Sequence, residues 1–159
     1  MSSDPTQAAP HPADFRKQYR LIHDIYVLLD DGDRRVLENF GLTTSQYAVL
    51  TQIEDDGGRR LTTLSERLLL SKSTITRIVD QLEKAGLVQR IGDAHDRRAQ
   101  RVVLTAAGRE RRAQARAAHL DSLKHRLAVL SEGEQRELEA LLRKLRAGLQ
   151  ALLKAEQVG

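Results

Sequence analysis

Ser71-Lys72-Ser73-Thr74, followed by Thr76 and Arg77, forms a run of hydroxyls and cations interleaved with an apolar repeat at Ile75, Ile78, Val79 and Leu82. Steps of three and four put those four apolar residues on one face of a helix, so the hydroxyls and cations near its start face outward. Asp80 is the first acid in the run. A helix N-terminus favours anions through its free N–H groups and its dipole. Hydroxyl, ammonium and guanidinium donors placed there reach phosphates or base edges in a major groove. An ordinary solvated amphipathic helix carries the same pattern, so this stretch alone decides nothing.

A second cluster lies in the polar segment 92–100, where His95, Asp96, Arg97 and Arg98 are adjacent. Arginines on a projecting loop suit a minor groove, whose negative potential attracts them. Asp96 beside them can pair with one and hold it extended. The competing reading is a surface ion-pair cluster worth less than about 1 kcal/mol per pair. From Arg59 to Arg112 there are 13 Lys/Arg and 6 Asp/Glu, whereas the chain as a whole has 26 and 22. A basic middle between less basic ends points to a polyanion.

The elements that must hold these clusters follow from periodicity and caps. Phe15, Tyr19, Ile22, Tyr26 and Leu29 form a helical stripe from Asp14 onward, which Asp30-Asp31-Gly32-Asp33 is expected to interrupt. Val36, Leu37 and Phe40 then make a short further piece capped by Gly41. Thr44 or Ser45 opens the next helix, with Tyr47, Leu50 and Ile53 inward, and Asp56-Gly57-Gly58 stops it. Thr63-x-x-Glu66 has the form of a capping box, and Ser71 of an N-cap. Two helices so closely spaced make a helix-turn-helix. Leu87–Ile91 and Arg101–Leu104 read as paired strands around the segment 92–100. Thr105 caps a helix running to about Leu130, and Ser131-x-x-Glu134 boxes the start of the last one, whose leucines 138, 142, 145, 149 and 152 form a short seam.

The 159 residues suffice for one domain with flanking helices. Cysteine is absent, which removes disulfides, thiolate nucleophiles and cysteine redox switching. The five aromatics, Phe15, Tyr19, Tyr26, Phe40 and Tyr47, crowd the first third, where core packing is the plain expectation. No apolar run is long enough to span a membrane. The first residues read as a short disordered tail rather than a signal peptide, so the expected location is cytoplasmic. His11, His23, His95, His119 and His125 form no compact metal-ligand pattern, and neither a metal nor a cofactor is expected.

The run from Leu61 to Gly108, with S-K-S-T-I-T-R-I-V-D-Q-L-E-K-A-G-L-V, then D-x-x-D-R-R, then V-x-L-T-x-x-G, resembles the MarR family of bacterial regulators. GLTTSQYAVL upstream resembles the helix that precedes the winged domain of that family. The resemblance implies a mainly α fold with a small β-hairpin wing: a winged helix-turn-helix flanked by N- and C-terminal dimerisation helices. It divides the chain into a tail at 1–13, an N-terminal dimerisation region at 14–40, a DNA-binding domain at 42–104 and C-terminal dimerisation helices at 105–155. DNA-binding residues carried over by motif position are Ser71, Lys72, Ser73, Thr74, Thr76 and Arg77 on the recognition helix. Arg98, with Arg97 beside it, serves as the wing arginine, and Asp96 braces it. The implied partners are double-stranded DNA bearing an inverted repeat and a second copy of the chain. Peroxide-sensing members use a reactive cysteine, so their mechanism does not apply here.

In the resembled fold a small anionic or phenolic effector sits between the dimer helices and the winged domain. Tyr19, His23, Tyr26, Tyr47, Arg112 and Arg116 are the residues here that would line such a crevice, through flat apolar walls and carboxylate-pairing cations. Three functions compete. The first is a regulator, repressing its own or an adjacent operon and released by a small ligand. The second is a non-specific architectural DNA binder. An enzyme is third and poorly supported, since no nucleophile constellation, phosphate loop or metal motif is present.

Overall fold

The computed structural model describes residues 12–93 and 99–156. In chain order these form α1 (Pro12–Glu38), α2 (Thr44–Gln52), β1 (Arg59–Arg60), α3 (Leu61–Leu68), α4 (Lys72–Lys84), β2 (Val88–Gly92), β3 (Gln100–Leu104), α5 (Ala106–Leu127) and α6 (Glu132–Glu156). The expected hairpin is present, and β1 adds a third strand to it in the antiparallel order β1-β3-β2. Arg59 pairs with Val102, and Arg90 faces Val102 from the other side. The chain divides into two units, Met1–His119 and Leu120–Gly159.

The core lies within the first unit. Leu37 of α1, Val49 and Leu50 of α2, and Leu64 of α3 are buried, as are Ile75, Ile78, Val79 and Leu82 of α4. Leu42, Ile53 and Leu87 between the elements, Val88, Val102 and Leu104 of the sheet and Ala115 of α5 complete it. The four positions that define the inward face of α4 in the sequence are therefore the ones the core takes up, by area burial that dominates folding. α5 leaves the sheet through a cap: the Thr105 hydroxyl accepts from the Gly108 N–H at 3.0 Å and donates to the Gly86 carbonyl at 2.7 Å. Gly108 is obligatory there, because a Cβ would lie 1.8 Å from the Leu87 carbonyl oxygen.

Three local expectations are corrected. α1 runs without a break through Asp30–Asp33. A mid-helix Gly costs about 1 kcal/mol against Ala, but Asp31 pairs with both Arg34 and Arg35, which holds its carboxyl below the ordinary carboxylate value, Arg35 contributing most. Leu37, buried one turn on, anchors the same helix. The Thr63–Glu66 capping box does not form. α3 starts at Leu61 straight from β1, with Arg60 in the N-cap position but its side chain not capping the helix, because strand pairing fixes the chain before Thr63 is reached. A box forms one element earlier, where Thr43 and Gln46 cap each other at the start of α2. The aromatics of α1 are not core: Phe15, Tyr19 and Tyr26 are exposed, whereas Phe40 and Tyr47 pack against the core.

In the second unit Ser131 and Glu134 make the expected reciprocal cap, with the Ser131 N–H donating to Glu134 at 2.8 Å. The seam residues Leu138, Leu142, Leu145, Leu149 and Leu152 of α6 are all exposed. Among the described residues no helix is long and apolar enough to cross a membrane.

Candidate nucleic-acid interface

Ser71 ends the turn after α3 and caps α4. Its backbone is extended and its Oγ accepts from the Thr74 N–H at 3.2 Å. The same Oγ lies 3.0 Å from Ser73 Oγ and 2.8 Å from Thr74 Oγ1, a hydroxyl knot over the helix N-terminus. Thr76 Oγ1 donates to the Lys72 carbonyl at 2.8 Å, leaving its lone pairs outward. Ser71, Lys72, Ser73, Thr76 and Arg77 are exposed, and Thr74 is half-buried. The structure thus brings the six α4 candidates to one end of one helix. Lys72 and Arg77 pair with no acid among the described residues, so their charges face outward uncompensated.

The acids of α4 are disposed differently. Asp80 Oδ1 receives Arg90 Nη2 at 2.5 Å, and Glu83 takes the other guanidinium arm of Arg90 together with its backbone N–H at 3.0 Å. Arg90, on β2, is largely buried beneath the helix. The sequence reading missed it, since an arginine inside a strand pattern shows nothing of the helix it will meet.

The root of the wing is held by a buried acid that also escaped notice. Asp93 follows β2, and its side chain is inaccessible to solvent. Arg60 of β1 grips it with two parallel bonds, 2.7 Å from Nε and 2.9 Å from Nη2, and Arg101 of β3 adds a contact at 3.4 Å. Arg101 spends its other donors on the Gly57 and Gly58 carbonyls at 2.5 and 2.9 Å. The Asp93 N–H donates to Ala99 at 3.1 Å, closing the neck of the loop. His95, Asp96, Arg97 and Arg98 lie outside the described residues.

The effector candidates separate into two groups. Tyr19, His23 and Tyr26 stand exposed on α1 at helical spacing. Tyr47 packs its ring 5.3 Å from that of His119, whose Nε2 lies 3.0 Å from Asp33. Burial pushes the Tyr47 hydroxyl up, the nearby Arg116 charge acting against this and Asp33 with it. Arg112, expected to meet a ligand, is committed instead: it donates to the Ile53 carbonyl at 2.8 Å and to Asp55 at 2.6 Å, closing the end of α2. Among the described residues no group of His, Cys, Asp and Glu has a metal-binding arrangement.

The family model described as "MarR family" matches residues 42–99. The HTH-type transcriptional regulator PrsX of Escherichia coli is 32% identical over 123 residues, 76% of this chain and 74% of that protein. Among solved structures, AbsC, a MarR family transcriptional regulator from Streptomyces coelicolor, superposes with a TM-score of 0.79 at 25% identity, covering 91% of this chain and 99% of that one. The S. aureus MepR–DNA complex shares the fold, with a TM-score of 0.75 at 22% identity over 82% of this chain and 96% of that one.

Proposed function

This chain belongs to the MarR family of transcriptional regulators, and on that premise we propose that it is a sequence-specific repressor of its own or an adjacent operon, working in the cytoplasm as a homodimer on an inverted repeat. The observation that carries the reading is the N-terminal end of α4, where Lys72 and Arg77 stand exposed beside a cluster of hydroxyls while the helix's acids are drawn off to β2. A helix so charged enters a major groove with its cations on phosphates and base edges. Ser71, Lys72, Ser73, Thr74, Thr76 and Arg77 supply those contacts, and Arg97 and Arg98, with Asp96 as brace, supply the minor-groove contact.

Dimerisation would use residues 14–40 and 105–155. The exposed apolar side chains of α1 and the leucine seam of α6 support it, since apolar faces of that size are a liability in a monomer. Release is by a small aromatic or anionic ligand held near Tyr47 and Arg116; Arg112 already donates to the Ile53 carbonyl and to Asp55, and Tyr19, His23 and Tyr26 form a separate exposed group further up α1.

Selection of bound sites from random duplex DNA tests the reading. A palindromic consensus with half-sites about one helical turn apart is the expected result. Equal affinity for every sequence, with a steep salt slope, would instead mark a non-specific architectural binder.

A further inference from the structure

We infer that Arg90 is a positioning residue for DNA binding, which acts by keeping the Asp80 carboxylate away from Arg77. This rests on the reading that α4 enters the major groove.

Asp80 lies three residues after Arg77, so the two are surface neighbours on the helix, at the spacing where opposite charges attract. Yet Asp80 pairs with Arg90 at 2.5 Å, and Arg77 pairs with no acid among the described residues. Arg90 is built to win that competition. Its place on β2 opposite Val102 fixes its backbone, its side chain is only 18% exposed, and Glu83 holds its second arm. A planar guanidinium gripping two carboxylates is more ordered than an exposed pair within a helix. Glu83 has an anchor besides the guanidinium, because it also accepts the Arg90 backbone N–H at 3.0 Å. Loss of the Arg90 side chain therefore frees Asp80 above all. A freed Asp80 turns to Arg77, cancels its charge and places a carboxylate beside the phosphates.

The test is a double-mutant cycle of Arg90→Gln and Asp80→Asn in the full chain, with affinity for the selected duplex and thermal stability both measured. One charge withdrawn from a DNA interface weakens binding by roughly fivefold at moderate salt. Arg90→Gln should show that loss and a lowered Tm. Arg90→Gln with Asp80→Asn should return to within about twofold of native affinity while its Tm stays low, a split that a purely structural Arg90 would not produce. Unchanged affinity in Arg90→Gln overturns the inference, as does a double variant that binds no better than Arg90→Gln. If Arg90→Gln does not fold, Asp80→Asn alone decides. A change under about twofold supports an acid already held aside, and a gain of fivefold or more overturns it. A native chain that binds no duplex selectively would overturn the DNA-binding reading itself, which is distinguishable from a native chain that binds selectively and an Arg90→Gln variant that matches it.

Discussion

Arg60 meets Asp93 through two parallel hydrogen bonds of 2.7 and 2.9 Å, tying the two-residue strand before α3 to the neck of the loop that follows β2. The acid has no solvent access, whereas Arg60 keeps part of its side chain in water. The two are 33 positions apart, so the contact exists only once the sheet has paired.

Asp93→Ala should destabilise the fold by about 2 kcal/mol, the scale of a lost charge-assisted bidentate contact, moderated because Arg60 and Arg101 can turn toward water. Arg60→Ala should cost more than an exposed arginine elsewhere does. Urea unfolding of the two variants and of their combination measures this; strictly additive losses would mean that the pair is not coupled.

Leu69 is the one non-glycine residue with positive φ among those described, at φ 53, and it is 84% exposed in the turn between α3 and α4. A left-handed conformation costs an L-residue about 1–2 kcal/mol, and so exposed a side chain contributes little burial. Leu69→Gly should therefore raise stability by up to about 1 kcal/mol after the entropic cost of glycine. A lower Tm would show that the leucine packs in a way its exposure hides.

Gly108→Ala should cost several kcal/mol, on the order of 3 or more, because the added methyl meets the Leu87 backbone rather than a movable side chain. Thermal denaturation decides it. Gly133→Ala, with nothing within 4 Å of the new atom, is the matched control and should be neutral or better.

On the DNA side, Arg77→Ala should cost about 1–3 kcal/mol and alter sequence preference at one position of the site. Arg98→Ala should weaken binding on every duplex while leaving the oligomeric state unchanged. Titrations against the selected site and against variants at single positions separate the two effects.

Acid should loosen the start of α6. Ser131 lowers the Glu134 carboxyl below its ordinary value of 4.5, its hydroxyl contributing most and its N–H next. A depressed folded pKa means the contribution is complete above the unfolded value and is lost as pH falls through the folded one. Circular dichroism melts from pH 6 down to 3 should show a steeper acid decline for the native chain than for Glu134→Gln, which keeps an acceptor but cannot titrate.

The inward face of α4, the Ser71 and Thr105 caps and the paired strands were legible in the sequence because each rests on neighbours within one or two helical turns or a few strand residues. The outward face of α4 was legible for the same reason: once the apolar positions choose a side, the remainder must face away. Where local chemistry was outweighed, the reading failed. The residues 30–33 look like a break until Leu37, one turn on, is buried in the core and carries the helix through, and Thr63 looks like a cap until β1 starts the helix sooner.

The sequence by itself determined which residues of α4 point inward and which outward, since that depends on a 3.6-residue period and on apolar burial alone. Tertiary structure decided which of the many surface charges are already committed. Arg90 under Asp80, Arg60 on Asp93 and Arg112 on Ile53 each join residues that only folding brings within 3 Å. Ion pairing falls off over a few ångströms, so an arginine's availability to DNA or ligand is set by neighbours distant in the chain. Type and spacing offered Arg77 for DNA and Arg112 for a ligand; the fold left one exposed and tied down the other.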